Sequence, residues 1–470
     1  LRGFSIAQSI VKYAPLDPQL FVENRRQLAA SLKPGSLAVI HSAAIPALCA
    51  DGCLAFRQNS DLFYLSGADQ EDTVLMLCPD AKDPAHREIL FVRETSDLIA
   101  VWEGAKLSKE RATEVSGIGN VQWTDEFDAI LRRLARQVTT IYLNYNEHPR
   151  AGIALVTVDD QFRGRCQDLY PDHHYERLAP LLHAQRVVKS KTEVEVTRKA
   201  CKITRDAFHR VLEFVEPGVL EYEVEAEYLH EFVRQGSKGF AYEPIVASGG
   251  NACVLHYIEN DQLCEDGQLL LMDVGAEYAN YNADMTRTIP VNGKFTDRQR
   301  AVYDAVHRVL RKCIDEWVRP GVVIKEYQMQ VARMMEDELI GLGLIDADVV
   351  AEERRLCAAA EAEDASAQAK AAAPKEEDKA YRRYFMHGTS HSLGLDVHDV
   401  TPVDPEFVDG MLVTVEPGIY IREEEMAVRL ENDIVVRAEG NIDLMGDIPI
   451  NADEIEKLMA GSARRRLHID

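Results

Sequence analysis

Apolar residues fall in short uninterrupted runs through the first part of the chain, with helical stripes between them. The runs SLAVIH (residues 36–41), TVLMLC (73–78), EILFV (88–92) and TIYLNY (140–145) have the length and apolar content of buried strands. Residues 17–32 predict a helix with Pro18 in its first turn. Phe127, Ile130, Leu131 and Leu134 make a stripe at helical spacing behind Thr124, a candidate cap. Strands alternating with helices predict an α/β domain over residues 1–180 with a mostly parallel or mixed sheet.

The pattern changes after a junction at residues 178–192. Thr192 and Glu195 have the spacing of a capping box, and Ile203, Ala207, Val211 and Phe214 form the inward stripe of a long helix. Pro217 and Gly218 end it, a second helix is expected over 221–235, and strands from about 243 to 290. The order then repeats. Thr296 and Gln299 form a second capping box, and Val302, Val306, Val309, Cys313 and Trp317 a second stripe. Pro320-Gly321 ends that helix, another covers 324–342, and strands are expected from about 385 to 436. The hinges match as well, VEPGV at 215–219 against VRPGV at 318–322. Residues 181–470 therefore predict an α+β domain with an internal pseudo-twofold. A segment rich in Ala, Glu and Lys, residues 356–380, interrupts the second half; it reads as an exposed helix broken at Pro374 or as a disordered insertion. The tail from 462, with Arg464, Arg465 and Arg466, reads as a mobile end or an interface element.

Acids stand at chosen points of this pattern. The apolar run LLLM ends in Asp273, and Asp284 follows inside what reads as the next strand, so the two acids are expected to face each other across an antiparallel pair. Like charges so placed need a cation or a shared proton. In the second half Glu416 ends the strand MLVTVE, and Glu431 lies near the start of VRLENDIVV. Each half of the pseudo-twofold thus supplies one pair of carboxylates. Four carboxylates balance two divalent cations in charge, as suits a buried two-metal site. Between the pairs run His387, His391 and His398, and His256 precedes the first metal strand. His391 is the ligand candidate of this group; His387, four residues earlier, would share its face on a strand. The other histidines fit proton transfer or oxyanion stabilisation, and Arg429 is placed to orient a ligand carboxylate.

Composition narrows the partners. A net charge of −25 argues against nucleic acid or an anionic membrane surface as the main partner. No apolar run reaches the ~18 residues of a membrane span. The opening LRGFSIAQSIVKY lacks the basic start and long apolar core of a signal peptide. Nine scattered cysteines without a CxxC pair fit free thiols in a reducing compartment, and a cytoplasmic location is expected. Carboxylates and imidazole without thiolate favour Mn²⁺, Co²⁺, Fe²⁺ or Zn²⁺. Two such ions about 3.5–4 Å apart would share a nucleophilic bridging hydroxide, which suits hydrolysis of an amide beside a free amine.

LMDVGAEYANYNADMTRT, FMHGTSHSLGLDVHDV, VEPGIYI and VRLENDIVV resemble the motifs of aminopeptidase P (Xaa-Pro aminopeptidase), and FRQNSDLFYLSG at 56–67 resembles its N-terminal domain. The resemblance covers nearly the whole chain. It implies a "pita-bread" catalytic domain, shared with prolidase, creatinase and methionine aminopeptidase. It implies metal ligands at Asp273, Asp284, His391, Glu416 and Glu431, with Asp284 and Glu431 bridging two ions, usually Mn²⁺. It implies substrate-contacting histidines at His256 and His398, a proline-pocket histidine at His387, and supporting residues at Tyr420 and Arg429. The implied substrates are peptides with proline second, and the implied assembly is a homodimer or homotetramer. The resemblance also implies an N-terminal domain that helps close the site; Trp102, in VWEGAKLS, lies where such a contact would come from, and surface packing is the equal alternative for it. The departure from the family pattern is the insertion before Tyr381. Two alternatives stay open: a prolidase that cleaves Xaa-Pro dipeptides, and a non-catalytic pita-bread protein that binds peptides or partner proteins.

Overall fold

The computed structural model describes residues 12–148, 156–362, 366–401 and 405–466, the last five of these by their backbone alone. Residues 363–365 of the insertion, most of the opening segment read for a signal peptide and the arginine side chains of the tail lie outside the described residues. Two compact units are present, residues 1–187 with 400–402, and residues 188–399 with 403–470.

The first unit is built on a six-stranded mixed sheet, in the spatial order Val121–Trp123, Glu88–Val92, Val74–Leu77, Ser36–His41, Thr140–Leu143, His174–Arg177. The three strands from Ser36 to Val92 pair antiparallel, and the outer pairings are parallel. The predicted runs are buried because helices cover them: Phe127, Ile130, Leu131 and Leu134 pack with Leu37, Met76, Phe91 and Ile141 in one core. The helix of this stripe, Phe127–Ala135, has no side-chain cap; Thr124 opens a 3₁₀ turn, Thr124–Glu126, in front of it. The stretch at 56–67 is a brace. Asn59 caps helix Ser60–Ser66 by accepting from the Asp61 and Leu62 amides, and the Gln58 side chain donates to the carbonyls of Ala68 and Gln70.

In the second unit, helices Lys191–Phe214 and Glu221–Arg234 precede the strands Ile245–Ser248, Leu269–Val274 and Met285–Pro290. Helices Asp297–Lys312 and Ile324–Gly341 precede Leu412–Val415, Gly418–Ile421, Met426–Arg429, Asn432–Val435 and Ile442–Asp443. The repeated order read from the two hinges is present. Gly218 (φ 101°) and Gly321 (φ 86°) both adopt the left-handed backbone that a residue with a Cβ resists, which is why glycine follows proline in each hinge. The second capping box is at Thr296 and Gln299 as expected. The first is not at Thr192 and Glu195: the helix starts earlier, capped by Ser190 and Glu193.

Two expectations about the strands are corrected. Asp284 is not inside a strand facing Asp273. The partner of Asp273 is Thr286, and Met285 opens the strand. Between them lies a small hairpin, Glu277–Tyr278 against Tyr281–Asn282, whose turn residues Ala279 and Asn280 have φ of 52° and 66°. Residues 385–400 are also not a strand. They are a loop held alongside Leu412–Val415 by Thr414 N–H to His391 O (2.9 Å) and Glu416 N–H to Thr389 O (2.8 Å). The insertion is partly helical: Ala347–Glu361 runs into it and Ala367–Ala372 follows with no buried residue. Among the described residues, no helix is long and apolar enough to cross a membrane. All nine cysteines are free.

Candidate metal centre

Asp273 occupies the last-but-one position of its strand, and Asp284 lies two residues before its partner Thr286, so the two acids are diagonal neighbours on one face. The Tyr242 hydroxyl sits between them, 2.6 Å from Asp273 Oδ1 and 2.6 Å from Asp284 Oδ1. The two halves of the unit are stitched together here. Glu431 N–H donates to Thr286 O at 3.1 Å, and the Thr286 hydroxyl donates to Glu431 Oε2 at 2.6 Å. Buried Arg287 donates to Glu431 O (2.7 Å) and Asn432 Oδ1 (2.8 Å).

His391 joins the acids from the loop. Its Nε2 is 3.4 Å from Asp284 Oδ2 and 3.7 Å from Glu416 Oε1. Donor atoms of Asp284, His391 and Glu431 all lie within 4.8 Å of one another, close enough to hold a cation. Arg429 supports the cluster: Nη2 donates to Asp273 Oδ2 at 2.6 Å, Nε to Thr286 Oγ1 at 3.1 Å and Nη1 to the Tyr420 hydroxyl at 2.9 Å. Tyr420 in turn is 2.8 Å from His387 Nε2. His387 Nδ1 is 2.7 Å from the Gly388 carbonyl, which can only accept, so Nδ1 carries the proton and Nε2 accepts from Tyr420. The His398 ring stacks at 3.9 Å on that of His391. His256 is exposed, in a turn whose flanking Leu255 and Tyr257 pack in a cluster with Tyr420.

Electrostatics show a site built for cations. Burial and the neighbouring Asp284 and Glu416 push the Glu431 carboxyl far up, and burial with Asp273 close by raises Asp284. Burial lifts Glu416 to about 7 against the opposing pull of His391 and Arg429. Burial disfavours charge on His391, but the Asp284 hydrogen bond and the Glu416 charge outweigh it and hold the imidazole at about 9. Burial, helped by the Arg429 charge, lowers His387 to about 4, so that ring is neutral at pH 7. Four crowded carboxylates and one imidazole are hard to borderline donors, and the repulsion among them is what divalent cations relieve.

Sequence reasoning did not single out Tyr242, Thr286 or Asp433. Asp433 accepts the Asp284 amide at 3.1 Å from behind the site. Its only sequence signal is its place two residues past Glu431. Thr286 follows from strand register, and Tyr242 carries no spacing signal at all.

Residues 195–438 match metallopeptidase family M24, and residues 21–142 match the aminopeptidase P N-terminal domain. The chain is 34% identical to the Xaa-Pro aminopeptidase of Escherichia coli (strain K12), over 95% of this chain and 99% of that protein. Its structure resembles a putative aminopeptidase P from Bacillus anthracis (29% identity, TM-score 0.84, 95% of this chain and 99% of that one). It also resembles zinc-substituted E. coli aminopeptidase P in complex with product (33% identity, TM-score 0.80, 96% and 99%). A metallopeptidase of this family uses divalent metal ions, and the donor set above fits them. The chain therefore belongs to the aminopeptidase P family of the M24 metallopeptidases, with an aminopeptidase P N-terminal domain followed by a pita-bread catalytic domain.

Proposed function

We propose that the chain is an Xaa-Pro aminopeptidase, a metal-dependent hydrolase that releases the N-terminal residue from peptides with proline in second position. The observation that carries this reading is the connected network of Asp273, Asp284, His391, Glu416 and Glu431, drawn from one strand, three strand ends and a loop and tied to His387 through Arg429 and Tyr420. In this reading those five side chains would hold two divalent ions, Mn²⁺ being one that such donors suit, with Asp284 and Glu431 as the candidates to serve both. When bound, the ions supply Lewis acidity, activating water near neutral pH and polarising the scissile carbonyl.

The chain's own residues do the rest. Arg429 keeps Asp273 aimed, by a hydrogen bond from its guanidinium. His387 is a neutral acceptor with the Phe385 ring against it, centroids 5.2 Å apart, which gives an apolar wall suited to a proline ring rather than a proton donor. His398 and His256 are assigned to contact the peptide and the developing oxyanion. The domain division proposed is 1–180 and 181–470. A cytoplasmic homodimer or homotetramer completes the reading; the free thiols support a reducing compartment, and the exposed Leu98, Val101 and Trp102 on helix Asp97–Glu103 support burial against another copy.

The deciding experiment incubates the Mn²⁺-loaded chain with an Xaa-Pro-Xaa tripeptide and, separately, an Xaa-Pro dipeptide, and reads the products by mass spectrometry. Release of the first residue from the tripeptide is expected. Cleavage of the dipeptide alone would make the chain a prolidase. No cleavage of either would remove the assignment and leave a peptide-binding protein.

A further inference from the structure

Glu221 stands apart from the metal centre, yet five donors converge on its carboxylate. It is the first residue of helix Glu221–Arg234 and is fully buried. Oε1 accepts from the Ser248 amide (2.7 Å), the Ser248 hydroxyl (2.7 Å) and the Asn251 side-chain amide (3.3 Å). Oε2 accepts from the Tyr257 hydroxyl (2.7 Å) and the Gln262 amide (3.0 Å). The backbone closes the same clasp, with the Glu221 amide donating to Gln262 O at 2.9 Å. Both oxygens act as acceptors in all five bonds.

All five donors belong to one segment, residues 248–262, and that segment carries His256. Its start is fixed by strand Ile245–Ser248, whose Ile245 pairs with Asp273. Beyond the 3₁₀ turn Gly249–Cys253 it has no ladder to set its path, so side-chain bonds must do so. Tyr257, which donates to Glu221, is the residue next to His256, and with Leu255 it packs in the cluster that contains Tyr420. A carboxylate that merely closed a helix end would need only one or two of these donors; here both ends and the middle of a single segment are gathered onto it.

We infer that Glu221 is a positioning residue for His256, fixing the 248–262 segment in the path that presents the imidazole to the peptide. The inference rests on the reading of His256 as a substrate contact. The test is a double-mutant cycle in the full-length, Mn²⁺-loaded chain, reading kcat/KM on an Xaa-Pro-Xaa tripeptide and bound metal by elemental mass spectrometry. Glu221→Gln keeps the size but turns an amide donor toward donors, so whichever way it faces, part of the clasp opens. His256→Ala is expected to lower kcat/KM by about 10²-fold or more, and Glu221→Gln by roughly tenfold, with metal content unchanged. The double variant should be no worse than His256→Ala alone, because the two changes act through one group. Losses that multiply would mean Glu221 serves the fold at large, and the inference would fall. Full activity in His256→Ala would instead remove the reading of His256 itself, and the inference with it. If Glu221→Gln does not fold, Tyr257→Phe removes one donor of the five and enters the same cycle: a loss absorbed by His256→Ala supports the inference, and a loss that multiplies with it overturns it.

Discussion

Protons held by the proposed ligand residues decide how this site responds to pH. Glu416 ordinarily titrates at 4.5 and is lifted to about 7 in the fold, so the folded chain keeps a proton there that the unfolded chain has lost. Between those two values rising pH works against the metal-free fold. His391 is held at about 9 against an ordinary 6.5; the stability it contributes is fully present below pH 6.5 and is lost as pH rises through 9. Both shifts therefore weaken the metal-free fold across pH 4.5–9. Metal binding needs the same groups deprotonated, so its stabilisation grows over the same range. The melting-temperature gap between Mn²⁺-loaded and chelator-treated protein should widen between about pH 5.5 and pH 8.5; a gap that stays constant would contradict the assigned ligands. Asp273 and Glu416 are readable from sequence, because each sits at the end of an apolar run. Tyr242 is not, since a tyrosine between two carboxylates is a product of the folded path and leaves no periodic trace.

The element that sets the distance between Asp273 and Asp284 is the hairpin that Gly275 leads into, whose turn lies at Ala279 and Asn280. A Cβ at Gly275 would lie 1.7 Å from the Ala283 carbonyl oxygen, where backbone cannot give way cheaply. Gly275→Ala should therefore push the two strand ends apart, cost about 1–3 kcal/mol in stability, and lower the bound metal well below the wild-type stoichiometry. Denaturant titration and elemental mass spectrometry on the same sample check both; retention of full metal content would show that the acids tolerate a wider turn. This turn is also where the sequence pattern misplaces Asp284. A second acid eleven positions after the first fits one simple hairpin, but the chain inserts a second, smaller one, so Thr286 takes the position opposite Asp273. The first capping box misleads because S-x-x-E and T-x-x-E overlap at 190–195, and the helix takes its cap at Ser190. Residues 385–400 run beside Leu412–Val415 without forming a strand of their own, joined to it by separate bonds such as Leu393 N–H to Leu412 O and Thr414 N–H to His391 O.

At the scale of the molecule, the repeated helix–hinge–helix–strand order is legible because it recurs in the chain itself, with the same proline and glycine at both hinges. What the repeat achieves is visible only in three dimensions. Asp273 and Asp284 come from one half, Glu416 and Glu431 from the other, and Thr286, Arg287 and Arg429 bond across between them. With the proposed ligands drawn from two halves, metal binding would be a clamp on both. Any opening that separates the halves must first release the metal, so metal at ~100 times its Kd adds about 2.7 kcal/mol against that opening, a slowing of roughly 100-fold. Amide hydrogen exchange should accordingly slow on Mn²⁺ addition in Leu269–Val274, Met285–Pro290, Leu412–Val415 and Asn432–Val435 together. The six-stranded sheet of the first unit carries its own core, and the candidate ligands all lie in the second unit. Its amides should exchange at the same rate with and without metal. Protection confined to one pair of strands would mean that the two halves do not share the ions, and the pseudo-twofold would then be a feature of the fold without being the basis of the site.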